Sequence, residues 1–119
     1  MTDPIADLLT RIRNACLAKH EQLTLPHSRL KEQLVKIMVK TGHLGAYAVK
    51  DRQLIIKKPH LISVKRLSKP GNRLYAAVKD LPRLTRGRGQ TILSTSKGLM
   101  TIREAYKQKL GGELLCKIV

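Results

Sequence analysis

Helical spacing of apolar residues near the N-terminus, hairpin and turn signals further along, and a change of composition near residue 60 predict an α+β protein of two small packed α/β subdomains. Residues 1–60 read as helix, strand, helix and hairpin, and residues 61–119 as mixed strands with a short helix. A chain of 119 residues makes one ordinary domain or two very small ones sharing a core. With 42% apolar residues, three tyrosines and neither Phe nor Trp, that core must be aliphatic, and the chain is globular rather than disordered.

The first helix is entered near Thr2. Asp3 can cap it, Pro4 suits its first turn, and Ile5, Leu8, Leu9, Ile12 and Cys16 recur at helical spacing. Arg11, Arg13, Asn14 and Lys19 fall on the remaining surface, where solvated charge and phosphate contact are equally open readings. Leu23 and Leu25 alternate as a brief strand halted by Pro26. A second helix starts at its cap Ser28, buries Leu30, Leu34, Ile37 and Met38, and ends where Gly42 supplies a left-handed residue. Arg29 and Lys31 sit in its first turn, where cations oppose the helix dipole, so either an anion compensates them or solvent screens them. Residues 46–49 and 54–56 flank Lys50-Asp51-Arg52-Gln53 as a hairpin, and Lys57-Lys58-Pro59-His60 marks the boundary.

Beyond it, residues 62–67 read as a strand turned by Ser68-Lys69-Pro70-Gly71, with Pro-Gly at the centre of a type II turn. The partner strand, residues 73–79, would carry Arg73, Tyr75, Ala77 and Lys79 on one face and Leu74, Ala76 and Val78 on the other. Residues 80–89 read as a flexible cationic loop around Arg86-Gly87-Arg88-Gly89. Thr101-Ile102-Arg103-Glu104 is a capping box opening a short helix, Gly111-Gly112 ends that helix, and residues 113–119 form the last strand.

Charge points to the partner. The chain carries 24 Lys+Arg against 8 Asp+Glu, a formal charge of +16, and the segment from Lys65 to Lys109 holds twelve of those cations with only Asp80 and Glu104 opposing them. Such a surface suits a large polyanion, and nucleic acid is the first candidate. The densest chemical signal is Ile92-Leu93-Ser94-Thr95-Ser96-Lys97-Gly98. Its hydroxyls donate and accept, Lys97 adds a point charge, and Gly98 lets backbone approach a partner closely. Tyr75 is either a ring half-buried on a sheet or a platform for a base or sugar, and the flanking Arg73 and Lys79 favour the platform. One ring beside a hydroxyl cluster suits an irregular, folded RNA read through shape, sugar hydroxyls and a displaced base.

Other classes find little support. No window offers the ~20 apolar residues of a bilayer span, and the acidic start with Asp3 is unlike a secretory signal, so a cytoplasmic protein without a membrane partner is expected. Cys16 and Cys116 lack metal or redox spacing and read as small buried hydrophobes, with a disulfide between them as the minor alternative. The Ser94-x-x-Lys97 spacing stands outside the predicted helix and lacks the companion elements of acyl-transfer enzymes. Lys97 precedes its glycine, unlike a P-loop, and His20, His27, His43 and His60 all lie outside the most basic segment. Neither an enzymatic activity, a metal, a cofactor nor a small-molecule substrate is expected.

Four segments closely resemble the bacterial form of small-subunit ribosomal protein eight: residues 3–15, Ser68-Lys69-Pro70-Gly71-Asn72-Arg73-Leu74-Tyr75, Leu93-Ser94-Thr95-Ser96-Lys97-Gly98 and Gly111-Gly112-Glu113. The resemblance implies a non-enzymatic primary binder of small-subunit ribosomal RNA that helps assemble the platform of the particle. It further implies RNA contacts by Ser94, Thr95, Ser96, Lys97, Gly98, Tyr75 and Lys69, with Gly112 and Glu113 nearby. A second RNA segment would meet Thr2, Asp3, Arg11 and Asn14, with phosphate contacts from Arg29 and Lys31. The basic loop adds Arg86 and Arg88. Neighbouring small-subunit proteins, protein five among them, and the messenger of its own operon are the further partners implied. The hairpin is shorter than in typical members, Ile102 stands where aspartate is common, and Lys117-Ile118-Val119 replaces an aromatic-containing end. The competing reading is a free-standing RNA- or DNA-binding regulator, which the same charge would permit.

Overall fold

Pro4 is the first helical residue of α1 (Pro4–Leu17), where its missing N–H costs nothing. The structure, a computed structural model, describes residues 4–60, 63–84 and 89–119. Ile5, Leu8, Leu9 and Ile12 are buried as their spacing predicts, but Ala15 completes the stripe while Cys16 is only half-buried. Lys19, at φ 59, ends the helix in a left-handed position, with its N–H on the Cys16 carbonyl and the His20 N–H on that of Ala15.

Strand β1 (Gln22–Pro26) stops at its proline and leads to Ser28, whose hydroxyl accepts from the Lys31 N–H at 3.2 Å to cap α2 (Arg29–Lys40). Gly42, at φ +89, closes that helix as expected. The buried face differs from expectation: Leu34, Val35 and Met38 are inside, Ile37 is half-buried and Leu30 is exposed. Helical spacing admits more than one stripe, and packing on α1 and the following strand selects this one.

Strands β2 (Leu44–Lys50) and β3 (Gln53–Pro59) are longer than their apolar cores suggested. Asp51 and Arg52 alone make the turn, at φ 50 and 61, the paired left-handed geometry that matches strand twist. The antiparallel sheet runs β1-β3-β2, and Leu25, Leu54 and Ile56 are buried beneath α1 and α2. These elements make one compact unit, Pro4–Ser63, and a second comprises Val64–Val119.

In the second unit β4 (Val64–Arg66) and β5 (Tyr75–Ala76) do not pair with each other; both pair with the last strand, β8 (Gly112–Ile118). The expected strand over residues 73–79 is thus cut to two residues. Beyond Ala77 the Asp80 N–H turns back to the Ala77 carbonyl, a 3-10 turn forms over Val78–Asp80, and a short helix α3 (Leu81–Leu84) follows where a loop was expected. Proline in the first turn of α3 suits that start. The Lys69–Asn72 turn is not of type II, because Gly71 keeps a negative φ.

Strand β6 (Gln90–Thr95) returns through a two-residue turn into β7 (Gly98–Thr101), a strand hidden in the sequence by its brevity. Thr101 then caps α4 (Ile102–Lys107) by accepting from the Glu104 N–H at 3.3 Å. Lys109 at φ 57, and not a glycine, ends α4. The sheet runs β4-β8-β6-β7 with β5 also on β8. Leu81, Leu93, Met100, Ile102 and Ala105 form the core on one face, joined by Ala76, Leu84, Leu110 and Leu114.

Gly111 and Gly112 serve close approach. A Cβ on Gly112 would lie 2.2 Å from the Ser94 carbonyl oxygen, and one on Gly111 2.6 Å from that of Ala76. Gly112→Ala is therefore expected to destabilise the fold by about 1–3 kcal/mol, because backbone must move to make room. Gly71→Ala, with nothing within 4 Å, should shift the melting temperature little. Thermal unfolding of the two variants checks this.

Candidate nucleic-acid interface

Strand register brings the sequence-predicted residues together. Tyr75 on β5 is opposite Glu113 on β8, Glu113 is opposite Ser94 on β6, and Ser94 is opposite Leu99 on β7. Directly opposed residues of antiparallel strands share a face, so these four form one row across the sheet. Their chain neighbours Ala76, Leu93, Leu114 and Met100 point to the core on the other side. The row is therefore the outer face, and Tyr75 is 71% exposed upon it, which removes the half-buried reading.

One residue beyond that row, Thr95 pairs with Gly98 and the chain reverses at Ser96-Lys97. The Thr95 hydroxyl donates to the Gly98 carbonyl at 2.8 Å and accepts from the Lys97 N–H at 3.2 Å. Its hydroxyl is thereby spent on closing the turn, and Gly98, at φ +108, supplies the backbone that the reversal requires. Ser96 and Lys97 are left exposed at the tip, and Ser94 is half-covered in the row behind them.

Glu113 is held from within. Its carboxylate accepts from the fully buried Ser68 hydroxyl at 2.5 Å and from Arg73 Nη1 at 2.9 Å, while Ser68 Oγ also accepts from the Leu74 N–H at 3.1 Å. Arg66 Nη1 reaches the Leu115 carbonyl at 2.6 Å. Burial alone would raise the Glu113 pKa, but the Ser68 hydroxyl and the Arg73 and Arg66 charges outweigh it and hold the carboxyl below its usual range. This cluster fastens the Lys69–Asn72 turn to β8 and leaves Lys69 exposed beside the row. Ser68 escaped the sequence reading as a positioning residue, since its acceptor lies 45 residues away.

In the unit Pro4–Ser63, Arg11 and Asn14 share one face of α1, where Arg11 is an exposed partner of Asp7 at 3.3 Å. Arg29 is exposed at the start of α2 without a partner among the described residues. Lys31 donates to the Pro26 carbonyl at 3.4 Å, so a contact within the chain accounts for one of the two cations there. Thr2, Asp3, Arg86 and Arg88 lie outside the described residues.

The remaining reactive side chains have structural settings. His27 Nε2 lies 2.6 Å from Glu32 Oε1, and His43, hydrogen-bonded to Thr41, has its pKa lowered by burial and by His60. Burial pushes the Cys116 thiol up to about 12, and neither cysteine is in a disulfide. Among the described residues no group of three or more His, Cys, Asp or Glu side chains could hold a metal ion, and no helix is long and apolar enough to cross a membrane.

The unit Val64–Val119 thus joins an exposed aromatic and a hydroxyl-bearing hairpin tip in a strongly basic α+β chain, the class of features expected of a surface that meets nucleic acid. The family model for ribosomal protein S8 matches residues 3–119, and the chain belongs to that family, a class of structural, non-enzymatic proteins. A relative named small ribosomal subunit protein uS8 from Rubrobacter xylanophilus is 41% identical over 127 residues, covering 98% of this chain and 96% of its own. Relatives of the same name from Desulfovibrio desulfuricans and Anaeromyxobacter sp. strain K are 45% and 44% identical, covering 99% and 98% of this chain and 98% and 97% of their own.

The lowered Glu113 pKa fixes a sign. A carboxyl with a depressed folded pKa adds stability that is complete above its unfolded value of 4.5 and is lost as pH falls through the folded pKa. Glu113→Gln should lower stability by about 1–3 kcal/mol at pH 7, with the difference from the parent shrinking as pH falls below 4.5. Urea unfolding of both proteins between pH 7 and pH 3 measures it.

Proposed function

We propose that this protein is a structural constituent of the small ribosomal subunit, binds its ribosomal RNA as a primary binder, and helps assemble the platform. The observation that carries the reading is the row of the exposed Tyr75 with Glu113 and Ser94 on the face opposite the core, beside the exposed Ser96-Lys97 tip, in a chain of charge +16. Ser94, Ser96 and Lys97 meet the irregular core of an RNA stem, with Gly98 and Thr95 shaping the tip that does so. Tyr75 offers its ring to a base or sugar and Lys69 a phosphate contact. Gly112 and Glu113 act beneath them as spacer and anchor.

Residues 61–119 act as the RNA-binding subdomain. Residues 1–60 meet a second RNA segment through Thr2, Asp3, Arg11 and Asn14, with Arg29 adding a phosphate contact and Lys31 a weaker one. Arg86 and Arg88 contribute charge without base preference. Neighbouring small-subunit proteins, including protein five, complete its surroundings in the cytoplasmic particle. Binding to the messenger of its own operon would use the same face, since one RNA shape can be presented by two transcripts.

Sedimentation supplies the first test: the protein should travel with small-subunit particles in a sucrose gradient, and recovery in the soluble fractions alone would favour a free-standing RNA- or DNA-binding regulator. Ser96→Ala should cost on the order of 1–3 kcal/mol in binding to the specific ribosomal RNA and little on unrelated RNA. Arg86→Ala should weaken both RNAs alike and reduce the salt slope by about one phosphate contact. Filter binding at several salt concentrations separates the two effects.

A further inference from the structure

We infer that the cleft between α1 and β1 receives a single unstacked adenine base, held by Asn14 and the free main-chain edge of Thr24. The inference rests on the RNA-binding reading and adds a ligand pocket to it. The cleft measures about 330 Å³ and is lined by Arg11, Asn14, Ala15, Ala18, His20, Leu23 and Thr24.

Its shape follows from the helix. Arg11, Asn14 and Ala15 stand at i, i+3 and i+4, hence on one face of α1, and Ala18 follows just past its end with its N–H on the Asn14 carbonyl. Small side chains at Ala15 and Ala18 leave a recess over β1 where larger ones would have closed it. Ala18 and Leu23 give apolar surface for a flat ring above the buried Ala15, and the Arg11 guanidinium and His20 imidazole are planar groups at its rim.

Hydrogen-bonding groups converge on the same place. Lys58 N–H donates to the Glu21 carbonyl and His27 N–H to that of Arg52, so alternate residues of β1 face β3. Gln22 and Thr24 therefore turn their N–H and C=O to the free side of an edge strand. Thr24 thus offers one donor and one acceptor, and Asn14 brings an amide with no partner among the described residues, the group that pairs bidentately with adenine N6 and N7.

The same edge is too short for an added peptide strand. Pro26 has no N–H, and its carbonyl already accepts from Lys31 Nζ at 3.4 Å. Two usable residues suit one base edge, whereas strand addition needs several in succession. The surrounding positive charge favours the phosphates that flank a base.

The test uses the full-length protein labelled with ¹⁵N and adenosine monophosphate as probe. Saturable amide shifts at Ala15, Ala18 and Thr24 are expected, absent with inorganic phosphate. They should require about tenfold more nucleotide in Ala18→Leu, which fills the recess from an exposed position just past the end of α1. Equal shifts with phosphate, or an unchanged response in Ala18→Leu, would overturn the pocket. So would an acidic extended peptide that moves Gln22 and Thr24 when the nucleotide does not. Binding of the parent to small-subunit ribosomal RNA is measured alongside: its loss refutes the broader reading, while intact RNA binding without a nucleotide response refutes the pocket alone.

Discussion

Strand β8 must approach two other strands more closely than any side chain allows, and the C-terminal unit is arranged around that constraint. At Gly111 and Gly112 the backbone passes against the carbonyls of Ala76 and Ser94. Immediately after, Glu113 takes its place between Tyr75 and Ser94. Register in a sheet is all or none, since a slip of one residue would send Tyr75 and Ser94 to the core and Ala76 and Leu93 to solvent. The glycines thus act on the row itself. They let the strands that carry it close up in one alignment.

A second constraint is electrostatic. With so few acids, the chain spends several of them on local contacts: Asp7 with Arg11, Glu32 with His27, Asp80 with Arg83 and Glu113 with Arg73. Most of these are exposed and weak; Glu113 differs because a buried hydroxyl and a guanidinium both need it. The remaining positive charge repels itself, which a polyanion relieves on binding. Any polyanion that bound only the folded chain would therefore also stabilise it.

Sequence pattern alone located helices α1 and α2, both caps at Ser28 and Thr101, the hairpin and the last strand. These features are local, written in residues a few positions apart. It misjudged the stretch from Arg73 to Lys79, since alternation over so short a run does not compete with the 3-10 turn after Ala77. It passed over β7, whose four residues are a strand only because β6 lies beside them. Lys19 and Lys109 likewise end helices where a glycine is the usual signal, because the capping hydrogen bonds outweigh the cost of a left-handed lysine.

By itself the sequence determined the fold class, the aliphatic core, the excess of positive charge and the hydroxyl-rich stretch from Ser94 to Ser96, all readable from composition and near neighbours. Which of those hydroxyls face outward was decided only by the tertiary structure. It committed Thr95 to its own turn, left Ser96 at the tip, and set Ser94 in a row with residues from distant parts of the chain. Hydrogen bonds between strands far apart in sequence set that alignment, and no local pattern encodes which strand will be the neighbour.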